Sequence, residues 1–137
     1  MNSPVTIDAS VFVSAFTPTE PAHQVSKVFM LNIREQSIPI IVPVLVLPEI
    51  SAALSGGQNK PELGKAFAQE LRNFPNTTFI HVDETVANLA VEIAANNRLR
   101  GSDAVYAAVV LRFGTELITL DREQLDRLSK VLSVRSP

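Results

Sequence analysis

Short apolar runs alternate along this chain with longer segments whose apolar residues recur at helical spacing. The runs cover residues 5–7, 40–42, 78–82, 117–120 and, as a further candidate, 131–134. Runs of this length, rich in Val, Ile, Leu and Thr, are typical of strands. Strands that are each followed by a helix favour a parallel sheet covered on both faces. The alternation therefore predicts an α/β fold, a three-layer α/β/α sandwich with a central parallel sheet.

Four of the intervening segments have the spacing of a helix with one buried face. In the first, Val25, Val28, Phe29 and Ile33 form the stripe, with Thr19 as a candidate cap and Pro21 in the first turn. The others are residues 61–74, a helix capped by Asp83, and residues 103–113 between a Ser102 cap and a closing Gly114. Residues 55–59 are predicted to form a loop.

The composition favours a single domain over residues 1–137, because 46% apolar and 19% charged residues are enough for a core. The chain has no cysteine, which excludes disulfides and thiol nucleophiles and favours a reducing cytoplasm. Its first ten residues lack the basic region of a signal peptide. The most apolar stretch, residues 38–48, carries three prolines and is too short to span a membrane.

Four acidic residues lie in unusual places in this pattern. Asp8 and Asp121 directly follow predicted strands, and Asp103 lies in the first turn of an otherwise apolar helix. Glu49 is the only charged residue between positions 35 and 60. Because loops after parallel strands converge at the carboxyl edge of the sheet, we expect these side chains to share that edge.

A cluster of four carboxylates needs a compensating charge. Two unit charges about 4 Å apart repel by about 4 kcal/mol at an effective dielectric of about 20. A divalent cation removes this repulsion, and oxygen ligands without sulfur or imidazole favour Mg²⁺ or Mn²⁺. Such an ion could activate a water for phosphodiester hydrolysis. The predicted chemistry is hydrolysis without a protein nucleophile.

Each acid also has a purely structural interpretation. Asp8 and Asp121 could cap the helices that follow them, and Asp103 could serve only the helix dipole. Glu49 could be an exposed residue of an amphipathic helix. The net charge of −2 does not itself indicate a nucleic-acid partner. Without the four candidate ligands, 10 acids face 12 basic residues, a balance of +2 that is merely permissive.

Residues 5–10, 43–54, 99–108 and 117–121 resemble the four motifs of PIN-domain nucleases, most closely the VapC-type toxins of toxin–antitoxin pairs. The resemblance covers essentially the whole chain. It implies Mg²⁺- or Mn²⁺-dependent endoribonuclease activity, a homodimer, and an antitoxin whose C-terminal segment lies across the active-site groove. By position, Asp8, Glu49, Asp103 and Asp121 would form the catalytic and metal-binding site.

The resemblance also assigns supporting roles. Ser10 and Thr119 match hydroxyl residues that orient a ligand or water, although Ser10 could equally cap a helix and Thr119 could be an ordinary strand residue. Pro48 departs from the family pattern, because the helix carrying Glu49 is usually continuous there. A helix that begins near Val44 or Leu45 would hold this proline in its first turn; otherwise a kink would redirect Glu49.

Several basic residues have two interpretations. Arg98, Arg100 and Arg122 could contact RNA phosphates at the rim of the site or simply keep a loop soluble, and Arg127 has the same ambiguity. His23 and His81 are expected to be structural, with His81 inside the third strand.

Two rival functions remain open at this point. A phosphatase or receiver with a phosphorylated Asp8 is disfavoured, because phosphatases of the haloacid-dehalogenase type need an acid where Ser10 stands. A non-catalytic RNA-binding or dimerisation module would be indicated by a missing acid, and none is missing.

Overall fold

The computed structural model describes residues 3–56 and 59–137, in which five strands form one parallel sheet. The strands are β1 Val5–Ile7, β2 Ile40–Pro43, β3 Thr77–Ile80, β4 Glu116–Ile118 and β5 Val134–Arg135. Their order is β3-β2-β1-β4-β5, and every neighbouring pair is parallel. The predicted central parallel sheet is therefore confirmed.

Helices flank this sheet. They are α1 Ala9–Phe16, α2 His23–Glu35, α3 Val46–Gly56, α4 Pro61–Arg72, α5 Glu84–Asn97, α6 Gly101–Phe113 and α7 Arg122–Leu128. Helix α6 packs directly against β1, β2 and β4 and is covered by α5, while α1 contacts both α2 and α3. Because α6 is buried on most of its circumference, it carries the small residues Ala104, Ala107 and Ala108 in the core.

The central strand β1 positions the first acid. All three of its residues are buried, and the backbone N–H of Asp8, just beyond it, donates to the carbonyl of Ile118 at the end of β4. The carboxyl ends of β1 and β4 are thus joined. The loops that follow these two strands therefore start side by side.

The strand ends differ from the sequence prediction. Strand β3 ends at Ile80, so His81 lies beyond it and is exposed rather than within the strand. Strand β4 ends at Ile118, which leaves two residues before Asp121. Strand β5 is Val134–Arg135 and not 131–134, because residue 131 still bonds back to Leu128 in the turn after α7. Ladder bonds, which apolar runs do not reveal, decide where strands end.

The start and the buried face of α2 also differ from the prediction. The helix begins at His23 after Ala22, without a side-chain cap from Thr19. Of the predicted stripe, Ile33 is buried, whereas Val25 and Val28 are 48% and 45% exposed and Met30 is buried instead. The predicted stripe was a valid helical face, but the packing of α2 against α1 selects a face rotated from it.

Two of the three remaining predictions about helix ends are confirmed and one is wrong. Asp83 caps α5 by accepting from the N–H of Val86, and Gly114 ends α6 in the left-handed region at φ 67°, as predicted. Ser102 does not cap α6, because the helix begins one residue earlier, at Gly101.

Pro48 is accommodated in the first turn of α3, which begins at Val46. A proline is tolerated there because its missing N–H has no intrahelical partner to lose. The same helix continues through Gly56, so the first two residues of the predicted loop 55–59 are helical, and residues 57–58 lie outside the described residues. No helix within 3–56 and 59–137 is both long and apolar enough to cross a membrane.

Candidate metal centre and active site

All four predicted acids line one pocket of about 620 Å³. Asp8 and Asp121 reach it from the ends of β1 and β4, Glu49 from the first turn of α3, and Asp103 from the first turn of α6. Two strand ends and two helix N-termini therefore present carboxylates to the same space. Helix N-termini stabilise negative charge, which lowers the cost of this arrangement.

Asp8 is buried and has two sets of contacts. Its Oδ2 accepts a hydrogen bond from the N–H of Ser10, at 3.2 Å, and so caps α1. The same oxygen accepts from the hydroxyl of Thr119, also at 3.2 Å. The capping interpretation of Asp8 is thus correct, and it does not remove the side chain from the pocket.

Thr119 and Ser10 connect the two strand-end loops. The hydroxyl of Thr119 donates to Asp8 and accepts from the N–H of Asp121 at 3.0 Å, so it links two of the acids. The hydroxyl of Ser10 accepts from the N–H of Leu120 at 3.1 Å. Neither side chain behaves as the structural alternatives expected, since Ser10 does not cap a helix with its hydroxyl and Thr119 lies beyond β4.

Asp121 and Asp103 share a basic partner. Asp121 Oδ1 caps α7 by accepting from the N–H of Glu123 at 2.8 Å, and its Oδ2 accepts from Arg100 Nη2 at 3.1 Å. Asp103 Oδ2 accepts from Arg100 Nε at 3.0 Å. Arg100 therefore bridges two of the four acids.

Glu49 has a different partner. Its Oε1 accepts from the hydroxyl of Tyr106 at 2.7 Å. Tyr106 is fully buried, and Glu49 is partly buried rather than exposed on an amphipathic face. The structural alternative for Glu49 is therefore wrong.

Gln124 and Tyr106 are buried polar residues that sequence reasoning missed, and their side chains bond to acids of the pocket. The Gln124 side chain is 0% exposed, and its Nε2 donates to Asp103 Oδ1 at 2.8 Å and to Asp8 Oδ1 at 3.4 Å. Its Oε1 is buried without a hydrogen-bond partner among the described residues. Each lies three positions after an acid but bonds to acids of other segments, so local spacing gave no signal for them.

Comparison with known proteins gives a family. The model of the PIN domain family matches residues 5–131. The chain belongs to the PIN domain family. A search of curated protein sequences found no match.

Solved structures share the fold of this PIN domain. VapC20 of Mycobacterium tuberculosis, described as a Sarcin-Ricin loop cleaving toxin, superposes with a TM-score of 0.75 at 17% identity, covering 97% of this chain and 99% of that one. FitAcB of Neisseria gonorrhoeae gives 0.73 at 14% identity, with 97% of each chain covered. VapBC2 of Rickettsia felis, bound to a DNA fragment from its promoter, gives 0.72 at 13% identity, with 98% of each covered.

The pocket of this PIN domain is short of positive charge. Burial raises the pKa of Glu49, the hydrogen bond from Tyr106 lowers it, and repulsion from Asp8 and Asp103 raises it further. Burial also raises the pKa of Asp103, against the lowering effect of its bonds from Arg100 and Gln124. Burial, followed by the nearby acids, raises the pKa of Tyr106 well above its ordinary value, so its hydroxyl remains a donor at neutral pH.

The donor set fits a hard divalent cation in its chemistry. The pocket offers carboxylate oxygens from four segments of the chain. Its negative charges still repel one another, as the raised pKa of Glu49 indicates. As placed, however, no three Asp, Glu or His side chains within 3–56 and 59–137 converge into a ready metal-ligand group. The reason lies in the contacts above, because Asp103 and Asp121 turn toward Arg100 and Glu49 turns toward Tyr106.

The remaining basic candidates of the PIN domain lie outside this cluster. Arg98 ends α5, and its carbonyl accepts from the side chain of Arg127, while Arg122 is exposed at the start of α7. Nδ1 of His23 lies 2.9 Å from the carbonyl oxygen of Ser14, which fits the expected structural role.

Proposed function

We propose that this PIN domain is a metal-dependent endoribonuclease and the toxin of a type II toxin–antitoxin pair. The observation that carries the proposal is the meeting of Asp8, Glu49, Asp103 and Asp121 in one pocket at the carboxyl edge of the sheet. We assign to these four residues both metal binding and catalysis. The substrate is RNA, cut at its phosphodiester bonds by an activated water.

A Mg²⁺ or Mn²⁺ ion held by these carboxylates would polarise the attacking water and stabilise the charge that develops on the phosphate. The protein's own contribution is to hold the carboxylates still. Thr119 ties Asp8 to the loop of Asp121, and Gln124 ties Asp8 to Asp103. Catalysis by positioned groups depends on such supporting hydrogen bonds, because a small displacement of a ligand costs rate.

The rim of the pocket would receive the RNA backbone. Arg100 lines the pocket. Arg98, between α5 and α6, and Arg122, at the start of α7, are exposed. Guanidinium groups suit phosphate oxygens because their planar fork donates two parallel hydrogen bonds. We therefore assign phosphate contacts to these three arginines.

The toxin assignment is supported by solved structures that share this fold. Structures that resemble it include a toxin–antitoxin complex from Klebsiella pneumoniae and a toxin that cleaves the Sarcin-Ricin loop. By extension, we propose a cognate antitoxin and a second copy of the chain as partners. We assign the cytoplasm as the site of action, since RNA and antitoxin would both be met there.

RNA cleavage with a metal dependence tests the proposal. Purified protein is incubated with total RNA in Mg²⁺, Mn²⁺ or EDTA, and new 5′ ends are mapped. We expect discrete cuts with either cation, none in EDTA, and none from Asp8→Asn. Asp83→Asn is the matched control, because Asp83 also caps a helix but lies on α5 outside the pocket; it should cut like the wild type. Metal-dependent cutting by Asp8→Asn would contradict the central role of Asp8.

Two further measurements separate this function from a non-catalytic RNA-binding or dimerisation module. A ligand bound only by the folded state raises the melting temperature, so millimolar Mn²⁺ should do so here. No shift would favour the module. Expression of the chain should arrest growth, and co-expression of the neighbouring upstream reading frame should restore it if that frame encodes the antitoxin.

A further inference from the structure

The oxygens of the three aspartates are unequally engaged. Both oxygens of Asp8 accept from neutral groups of the fold, the N–H of Ser10 and the side chains of Thr119 and Gln124. Oδ1 of Asp103 accepts from Gln124, and Oδ1 of Asp121 caps α7. Oδ2 of Asp103 and Oδ2 of Asp121 are left over for a charged partner.

Arg100 binds these two oxygens. Its Nε lies 3.0 Å from Asp103 Oδ2, and its Nη2 lies 3.1 Å from Asp121 Oδ2. The planar guanidinium can bridge carboxylates from α6 and from the β4–α7 loop because its donors form a rigid fork. One positive charge thus lies between two of the four acids.

The Arg100 side chain reaches its two acids from the solvent side of the pocket. The residue directly precedes α6 in an extended conformation, and its side chain is 70% exposed. The guanidinium can therefore leave without exposing core residues. Solvent weakens an ion pair on its exposed side, but the Asp103 side chain is only 6% exposed, so this carboxylate needs another cation when Arg100 leaves.

We infer that Arg100 is a displaceable internal cation, which holds Asp103 and Asp121 together until a divalent cation takes its place. The inference rests on the proposed metal site. A divalent ion bound to the same two oxygens would stand close to the guanidinium, and two cations at that distance repel each other. Once displaced, Arg100 stands at the pocket rim, within reach of a substrate phosphate. Metal binding would in this way release the arginine that binds RNA.

Direct observation of the Arg100 side chain tests the displacement. In ¹⁵N-labelled protein, the Nε–Hε resonance of Arg100 is assigned by its loss in Arg100→Gln, and Mg²⁺ is then titrated. We expect the resonance to move to the position of a solvent-exposed arginine as Mg²⁺ saturates the site. Saturation is followed through the backbone amide of Asp103. The Nε–Hε resonance of Arg122, whose side chain is exposed, should stay in place.

Calorimetric titration with Mn²⁺ supplies a second readout that does not depend on catalysis. Arg100→Gln should bind Mn²⁺ about three- to tenfold more tightly than the wild type, which corresponds to the loss of weak competing ion pairs. Arg122→Gln removes the same charge next to Asp121 and measures the general electrostatic effect. Arg100→Lys keeps the charge but cannot bridge both carboxylates, so it should also bind more tightly than the wild type.

Each outcome decides a claim. If Mg²⁺ binds and the Arg100 resonance stays unchanged, the inference is overturned while the proposed metal site stands. The inference is likewise overturned if Arg100→Gln gains no more affinity than Arg122→Gln, or if Arg100→Lys binds Mn²⁺ like the wild type. Binding by Arg100→Gln but not by the wild type supports the inference, with Arg100 as a stronger competitor than expected. Binding by neither chain overturns both the inference and the proposed function.

Discussion

The two sides of the acidic pocket are built differently. On the aspartate side, Asp8, Asp103 and Asp121 are joined through Thr119, Gln124 and Arg100 into one hydrogen-bonded network. On the glutamate side, Glu49 has a single described hydrogen bond, from Tyr106. The first side is held by strand ends and helix caps, the second by one hydroxyl. The difference indicates that the fold itself orders the aspartates, whereas Glu49 retains freedom to adjust to a ligand.

Capping and catalysis are compatible on the aspartate side. Asp8 and Asp121 each begin a helix and each line the pocket. A capping carboxylate uses one oxygen for helix N–H groups and keeps lone pairs for other partners. The structural and functional interpretations of these residues are therefore complementary rather than exclusive.

The largest expected effect is on RNA cleavage, and it compares an acid of the aspartate side with Glu49. Asp103→Asn should reduce RNA cleavage by about a thousandfold, because a metal ion supplies several kcal/mol of transition-state stabilisation through its ligands. Glu49→Gln should reduce it less, because an adjustable ligand is more readily replaced by water. Cleavage rates at several Mn²⁺ concentrations measure both. A greater loss in Glu49→Gln would reverse the comparison.

A smaller effect is expected on stability. Gln124→Leu removes the buried donor to two carboxylates and should lower the free energy of unfolding by about 1–3 kcal/mol in EDTA. Tyr106→Phe removes one hydroxyl from the partly solvated Glu49 and should cost about 1 kcal/mol or less. Urea denaturation of both variants makes the test. Equal costs would mean that the two sides are equally dependent on their supporting residues.

The smallest effect is a pH dependence in metal-free buffer. The pKa values of Glu49 and Asp103 are raised in the folded state, so the folded state binds protons more tightly than the unfolded chain. Their contribution therefore becomes more favourable to folding as pH falls from neutral through these raised pKa values. The pKa of Glu116, which lies outside the pocket, is shifted in the opposite direction. Its bonds from Ser133 and Arg135 lower its pKa, so its contribution to stability is lost on acidification.

Melting curves in EDTA between pH 7 and pH 5 measure this balance. We expect acidification to stabilise wild type relative to a Glu49→Gln/Asp103→Asn double variant, which lacks both titrating groups. Saturating Mn²⁺ should abolish the difference in slope by holding the wild-type carboxylates ionised. A steeper loss of stability in wild type than in the double variant would contradict the assigned direction of the pKa shifts.

The fold and the gathering of the acids were accessible from sequence because both follow from chain order. Parallel strands separated by helices present their carboxyl ends at one edge, so residues just after β1 and β4 were expected there. Their being neighbours was decided by the strand order of the sheet. Apolar runs correctly indicated burial of β1, β2 and β4, whereas no residue of β3 or β5 is fully buried. Pattern reasoning therefore predicted the architecture and brought Asp8 and Asp121 to one edge.

Side-chain partners required the tertiary structure. Nothing in the sequence around Gln124 or Tyr106 predicts that these side chains bond to acids of the pocket, because that depends on how α7 and α6 pack. The buried face of α2 was predicted only in part for the same reason, since Ile33 is buried as predicted but Met30 is buried in place of Val25 and Val28.

The sequence by itself determined that a parallel sheet would present the acids that follow its strands at one edge, because alternating strands and helices give a parallel sheet. Only the tertiary structure decided that Arg100 bridges Asp103 and Asp121 and that Tyr106 holds Glu49. Such contacts join elements far apart in the chain or depend on side-chain direction. They arise from packing, which local pattern does not encode.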